Sequence, residues 1–169
     1  MKNIFLVGMP SSGKSTLGKR LARRLGYRFV DTDKLIIREE GGRPISDIFR
    51  DRGESYFREV ESRILRTIRP GCGLVVATGG GMPCFHDNMA YIRAAGLSIF
   101  LDVPPERLVE RMLRHAADDR PLFSQLDPAL LENLRTRCRD RQPFYSQADL
   151  IIRGDTDVDA LLQQVKPLL

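Results

Sequence analysis

The run Gly8-Met9-Pro10-Ser11-Ser12-Gly13-Lys14-Ser15 fills every fixed position of G-x-x-x-x-G-K-[ST]. It leads from a strand-like Ile4-Phe5-Leu6-Val7 into a good helical pattern, the context that phosphate binding requires. Glycines let the backbone turn its N–H groups inward around phosphate oxygens, and the helix that follows aims the positive end of its dipole at the same point. Lys14 is placed to reach the β- and γ-phosphates as a compact cation, and Ser15 to ligate Mg2+ through its hydroxyl. A nucleoside triphosphate is therefore the first ligand the sequence predicts.

Two more groups have the right chemistry for the other half of a phosphoryl transfer. Asp31-Thr32-Asp33 ends a short strand-like run. One carboxylate there can hold magnesium, directly or through water, and another can accept a hydroxyl proton or hydrogen bond. The same three residues also suit an ordinary helix N-cap. Thr78-Gly79-Gly80-Gly81 follows the next apolar run, where three successive glycines bring backbone amides within reach of a ligand or else form only a flexible turn.

The elements that position these residues come next. Apolar runs over 4–7, 28–30, 74–78, 98–101 and 149–152 alternate with helical patterns, such as Leu17, Leu21 and Leu25, then Leu108 and Met112. That alternation predicts an α/β fold, a three-layer, doubly wound, five-stranded parallel sheet whose carboxyl edge carries the ligands. Gly26 suits a helix C-cap. Residues 45–68 read as two consecutive helices divided near Asp51-Arg52-Gly53, a piece that could form a flap on the acceptor side. Residues 115–127 are polar and charged, and read as a mobile loop. No repeat or linker marks a domain boundary, so 1–169 is expected to be one domain.

Composition sets the outer limits. The chain has 169 residues, 42% hydrophobic and 29% charged, enough for one core and too ordered in composition for disorder. Its net charge of +5 favours anions in general. Cys72, Cys84 and Cys138 are odd in number and form no C-x-x-C pair, and His86 and His115 lack metal-ligand spacing. Free thiols in a reducing compartment are expected. No stretch approaches the roughly 20 apolar residues of a membrane span, and nothing before Ile4 leaves room for a signal peptide, so a cytoplasmic protein is expected.

The phosphate loop is shared by GTPases, motors and small kinases, so it cannot name the reaction. Neither a D-x-x-G after a strand nor an N-K-x-D occurs. The chain instead resembles the shikimate kinase family along essentially its whole length. The likeness rests on 8–16, Asp31-Thr32-Asp33, Phe57-Arg58-Glu59-Val60-Glu61, Gly79-Gly80-Gly81, Arg120-Pro121-Leu122 and Arg141-Gln142-Pro143-Phe144-Tyr145, in that order.

This resemblance implies a P-loop fold of the nucleoside monophosphate kinase kind, with a lid over about 115–127 and a shikimate-binding helical segment over about 32–61. It implies ATP and Mg2+, with Gly8 to Thr16 and Arg120 on the nucleotide, Ser15 and Asp31 on the metal, and Lys14, Asp33 and Arg120 catalytic. Asp33, Arg58, Gly79, Gly80, Gly81 and Arg141 would hold shikimate. The chemistry agrees, because shikimate needs a cationic clamp for one carboxylate and acceptors for three hydroxyls. Glu61, three residues beyond Arg58 on one helix face, would orient it. Phe57 and Tyr145 are read as walls. Arg111 and Arg114 both remain open as the residue that stacks on adenine.

By the same resemblance the chain is a monomer serving aromatic amino-acid biosynthesis. Pro10-Ser11-Ser12 departs from the small residues many relatives carry in the loop, which alters stiffness more than chemistry. Rival readings are a kinase for another small acceptor, such as gluconate or a nucleotide, and a nucleotide-switched binding module. A nucleic-acid partner is not expected, because the basic residues are interspersed with acids, Trp is absent and no reader motif appears.

Overall fold

Short apolar runs cannot satisfy their backbone alone, and here they do so by pairing side by side in parallel. In the computed structural model, which describes residues 1–119 and 128–169 with backbone only over 116–119, the strands are β1 (Asn3–Val7), β2 (Arg28–Asp31), β3 (Leu74–Ala77), β4 (Gly96–Asp102) and β5 (Leu150–Arg153). They form one sheet in the order β2-β3-β1-β4-β5, every neighbouring pair parallel. The strands expected from sequence agree with these to within two residues at each end.

Alternation along β1 sorts the core into two layers. Phe5 and Val7 join Val76 and Phe100 on one face, and Ile4 and Leu6 join Val75, Ile99 and Leu101 on the other. The first face packs against α3 (Ile45–Arg66), α4 (Asn88–Ala95), α5 (Pro105–Asp119) and α6 (Ala129–Tyr145). The second is covered by α1 (Lys14–Leu25) and α7 (Val158–Val165). Helix α2 (Thr32–Glu39) leads from β2 toward α3. A Cβ on Gly18 of α1 would stand 2.7 Å from the Phe29 ring, so this helix lies closer to the sheet than any side chain would allow.

Two expectations met the structure differently. Gly53, with φ 83 and ψ 169, breaks α3 into two helical segments that abut directly, as the sequence reading placed the division. Residues 115–119, read as the start of a loop, instead continue α5 to Asp119, because the Leu108 pattern carries its helical propensity onward through Ala116 and Ala117. The rest of that stretch, including Arg120, lies outside the described residues.

Candidate active site

The carboxyl edge of the sheet opens into a cleft of about 600 Å³, lined by the phosphate loop, Asp31, Asp33, Thr78 to Gly80 and the end of α5. The loop between β1 and α1 is built from positive-φ residues: Gly8 at 143°, Ser11 at 65° and Gly13 at 99°. A Cβ on Gly8 would come 2.8 Å from the Leu101 carbonyl oxygen, so glycine is required there. Ser11 occupies a left-handed conformation that costs an L-residue energy.

Lys14 opens α1 and folds back under the loop. Its Nζ donates to the carbonyls of Gly8 at 2.8 Å and Met9 at 2.7 Å. Burial pushes its pKa down to about 8, with the Asp33 carboxylate opposing that shift. Beside it Ser12 Oγ is buried with no hydrogen-bond partner among the described residues. A buried orphan hydroxyl costs free energy, and one in a phosphate loop fits an oxygen of an anionic ligand.

Asp31 and Asp33 divide their duties. Asp31 Oδ1 caps α2 by accepting from Asp33 N at 3.0 Å and Lys34 N at 3.4 Å, so the N-cap reading holds for this residue. Its other oxygen faces the Ser15 hydroxyl at 3.4 Å, which brings together the two residues named for magnesium. Asp33 points into the cleft, where burial, and then the Asp31 charge, hold its carboxyl above the ordinary range. Among the described residues no group of three or more His, Cys, Asp or Glu side chains stands ready for a metal. Magnesium needs no such cage, since it keeps several waters and takes one or two protein oxygens.

Around the three glycines the protein's own side chains crowd in. A Cβ on Gly79 would stand 2.9 Å from Asp33 Oδ1 and 3.0 Å from Glu61 Oε2. On Gly80 it would stand 3.0 Å from Arg141 Nη1, and on Gly81 it would fall onto the Arg58 guanidinium. Glycine is needed here to let Asp33, Arg58, Glu61 and Arg141 converge. The amide of Gly79, expected to be open to a ligand, donates instead to the buried Thr32 Oγ1 at 3.0 Å, because Thr32 bridges the ends of β2 and β3.

Arg58 is held by a buried ion pair, its Nη1 donating to Glu61 at 2.6 Å with the Glu61 side chain only 2% exposed. Burial pushes Glu61 up to about 7, partly offset by that hydrogen bond. Phe85 lies over the guanidinium at 4.3 Å, with Phe57 and Phe49 farther off at 5.4 and 5.7 Å. Arg141, on α6, has no carboxylate partner among the described residues and turns Nη1 toward Met9 Sδ at 3.8 Å. Tyr145 donates its hydroxyl to the Gly80 carbonyl at 2.5 Å, and burial raises its pKa.

The structure thus brings together the phosphate loop, Asp31, Asp33, Arg58, the glycines and Arg141. Arg111 and Arg114 both line the same cleft, Arg111 donating to the Ser11 carbonyl at 3.1 Å and to Asp155 at 2.5 Å. Sequence reasoning passed over Glu54, Phe85 and the bridging role of Thr32. Glu54 had a signal, standing one helical turn before Arg58. Phe85 had none, since it reaches the site from a distant element. The three cysteines are free, as expected, and burial raises the Cys84 thiol to about 11.

A parallel sheet in this order, a phosphate loop entering α1, and an arginine and aspartate pocket on the same edge define a P-loop phosphotransferase for a small acceptor. The shikimate kinase family model matches residues 10–167. A shikimate kinase of Persephonella marina is 44% identical over 169 residues, covering 100% of this chain and 98% of that one. Solved structures agree. Shikimate kinase from Acinetobacter baumannii, in complex with shikimate, superposes with a TM-score of 0.84 at 33% identity over 99% of this chain and 92% of that one. The enzyme from Bacteroides thetaiotaomicron gives 0.86 at 36% identity over 99% and 97%. This chain belongs to the shikimate kinase family.

Proposed function

We propose that the protein transfers the γ-phosphoryl group of ATP to the 3-hydroxyl of shikimate, giving shikimate 3-phosphate and ADP. The observation that supports this most directly is the convergence of Asp33, Arg58 and Arg141 on Gly79 to Gly81, at the edge of the cleft that Lys14, Asp33, Gly79 and Gly80 line. Two guanidinium groups supply paired donors for a carboxylate, and Asp33 supplies an acceptor for a hydroxyl.

In this reading the loop amides and Ser12 hold the phosphates, while the Lys14 ammonium leaves the Gly8 and Met9 carbonyls to follow the β- and γ-oxygens. Ser15 and Asp31 would hold Mg2+, which neutralises phosphate charge when bound. Arg58 and Arg141 fix the acceptor by its carboxylate. Asp33 orients the attacking hydroxyl in line and takes its proton late. Transfers of this kind are largely dissociative, so positioning and electrostatics carry more of the rate than base strength. A role for Arg120 on the transferring group rests on the family resemblance alone.

We take residues 1–169 as one kinase domain acting as a cytoplasmic monomer, with 32–61 on the acceptor side. Among the described residues no helix is long and apolar enough to cross a membrane. The test is ADP release from MgATP with shikimate, beside gluconate, nucleoside monophosphates and no acceptor. Turnover confined to shikimate supports the assignment, and turnover only with another acceptor overturns it while keeping the P-loop class.

A further inference from the structure

Arg58 meets two carboxylates. Its Nη1 donates to Glu61 at 2.6 Å, while its Nε and Nη2 both donate to Glu54 Oε1, at 3.3 and 3.1 Å. A guanidinium offers its donors in a rigid planar fork, and the Nε/Nη2 edge is one of the two edges that can take a carboxylate side-on. Glu54 lies across that edge.

The two carboxylates differ sharply in exposure, 2% for the Glu61 side chain and 58% for that of Glu54. Glu61 cannot withdraw without stranding a charge in the interior. Glu54 can swing into water at little cost. It also follows directly on Gly53, the residue whose φ of 83° and ψ of 169° interrupt α3. Phe85 covers one face of the guanidinium at 4.3 Å, which leaves the in-plane edges for an incoming anion.

We propose that Glu54 is an internal stand-in for the acceptor's carboxylate, holding the Nε/Nη2 edge of Arg58 until the shikimate carboxylate displaces it into solvent. This rests on the reading of Arg58 as a carboxylate clamp. The exchange makes the site selective. A simple anion that reaches Arg58 alone trades one carboxylate for another and gains nothing. An acceptor that also reaches Arg141, which has no carboxylate partner among the described residues, gains the second contact and displaces Glu54.

Steady-state kinetics of Glu54→Gln in the full-length protein test this. An exposed ion pair one helical turn apart, of ordinary strength, occupies its bound state about two-thirds of the time, so its removal lowers the KM for shikimate about threefold. The KM for ATP stays as it was, and benzoate, a ring carboxylate without the hydroxyls, becomes a stronger competitive inhibitor by a similar factor. Glu54→Ala repeats the measurement without an amide that could still accept from Arg58. A shikimate KM that is unchanged or raised in both variants overturns the proposal, because a residue that only shaped the pocket would give that result. Arg58→Ala, run alongside, separates the two layers of inference. If it raises the KM and the Glu54 variants do not lower it, the clamp stands and the stand-in fails, whereas a KM insensitive to Arg58→Ala removes the clamp itself.

Discussion

Replacing Gly81 by alanine adds one methyl group at the point where the site is tightest. The backbone accepts it, since Gly81 has φ −85 and ψ −14, values any L-residue adopts. The new Cβ would fall onto Arg58 Nη1 and stand 2.7 Å from its Nη2 and 2.8 Å from its Cζ, where ordinary contact begins at 3.4 Å. The guanidinium must therefore retreat by at least about 0.7 Å, more than the roughly 0.5 Å that a working site tolerates. It cannot retreat freely, because Glu61 holds Nη1 at 2.6 Å and Phe85 covers its face. A displacement approaching 1 Å is worth about 100-fold, so Gly81→Ala is expected to raise the KM for shikimate some 30- to 100-fold, roughly 2–3 kcal/mol. The KM for ATP should not move, since the phosphate loop is untouched, and Tm should change little, since the clash falls on the end of one side chain. Initial rates of ADP release with shikimate varied at saturating ATP give the first two values, and a thermal melt gives the third. A shikimate KM within threefold of the parent would refute the placement of Arg58 at the acceptor.

Three other perturbations follow from the same geometry. Asp33→Asn is expected to cut kcat about 100-fold. Because burial raises the Asp33 pKa and the ionised form is the working one, kcat/KM of the parent should fall as pH drops through a value above the usual carboxylate range, and the variant should lose that acid limb. Ser12→Ala removes a buried hydroxyl that has no partner among the described residues, so its Tm should hold or rise while the Kd for ATP, measured by calorimetry, increases several-fold. Tyr145→Phe deletes the 2.5 Å hydrogen bond to the Gly80 carbonyl and leaves that oxygen without this donor, with an expected loss of about 1–3 kcal/mol in denaturant unfolding; an unchanged midpoint would contradict the role given to the hydroxyl.

The phosphate loop was legible because its function is local. Eight consecutive residues make the turn, and the turn itself presents the amides, so type and order suffice. The three central strands were legible for a related reason, since a buried parallel strand must be apolar on both faces and reads as a continuous run, and the half-buried edge strands β2 and β5 kept shorter apolar runs. The break at Gly53 was visible in the charged, glycine-bearing interruption of a helical pattern. Asp33, Arg58 and Arg141 could be nominated through the family resemblance.

What pairs with what was decided only by the tertiary structure. That Gly79, Gly80 and Gly81 exist to admit Asp33, Glu61, Arg141 and Arg58, more than to expose amides, depends on where β2, α3 and α6 end relative to β3. The raised pKa values of Asp33 and Glu61 and the lowered one of Lys14 come from burial, which sequence spacing does not encode. Phe85 over Arg58 and Asp155 against Arg111 join residues 27 and 44 positions apart, and no local pattern links them. The physical reason is the range of the interactions: turns, caps and strand runs are fixed by neighbours along the chain, whereas charge pairing and desolvation are fixed by neighbours in space.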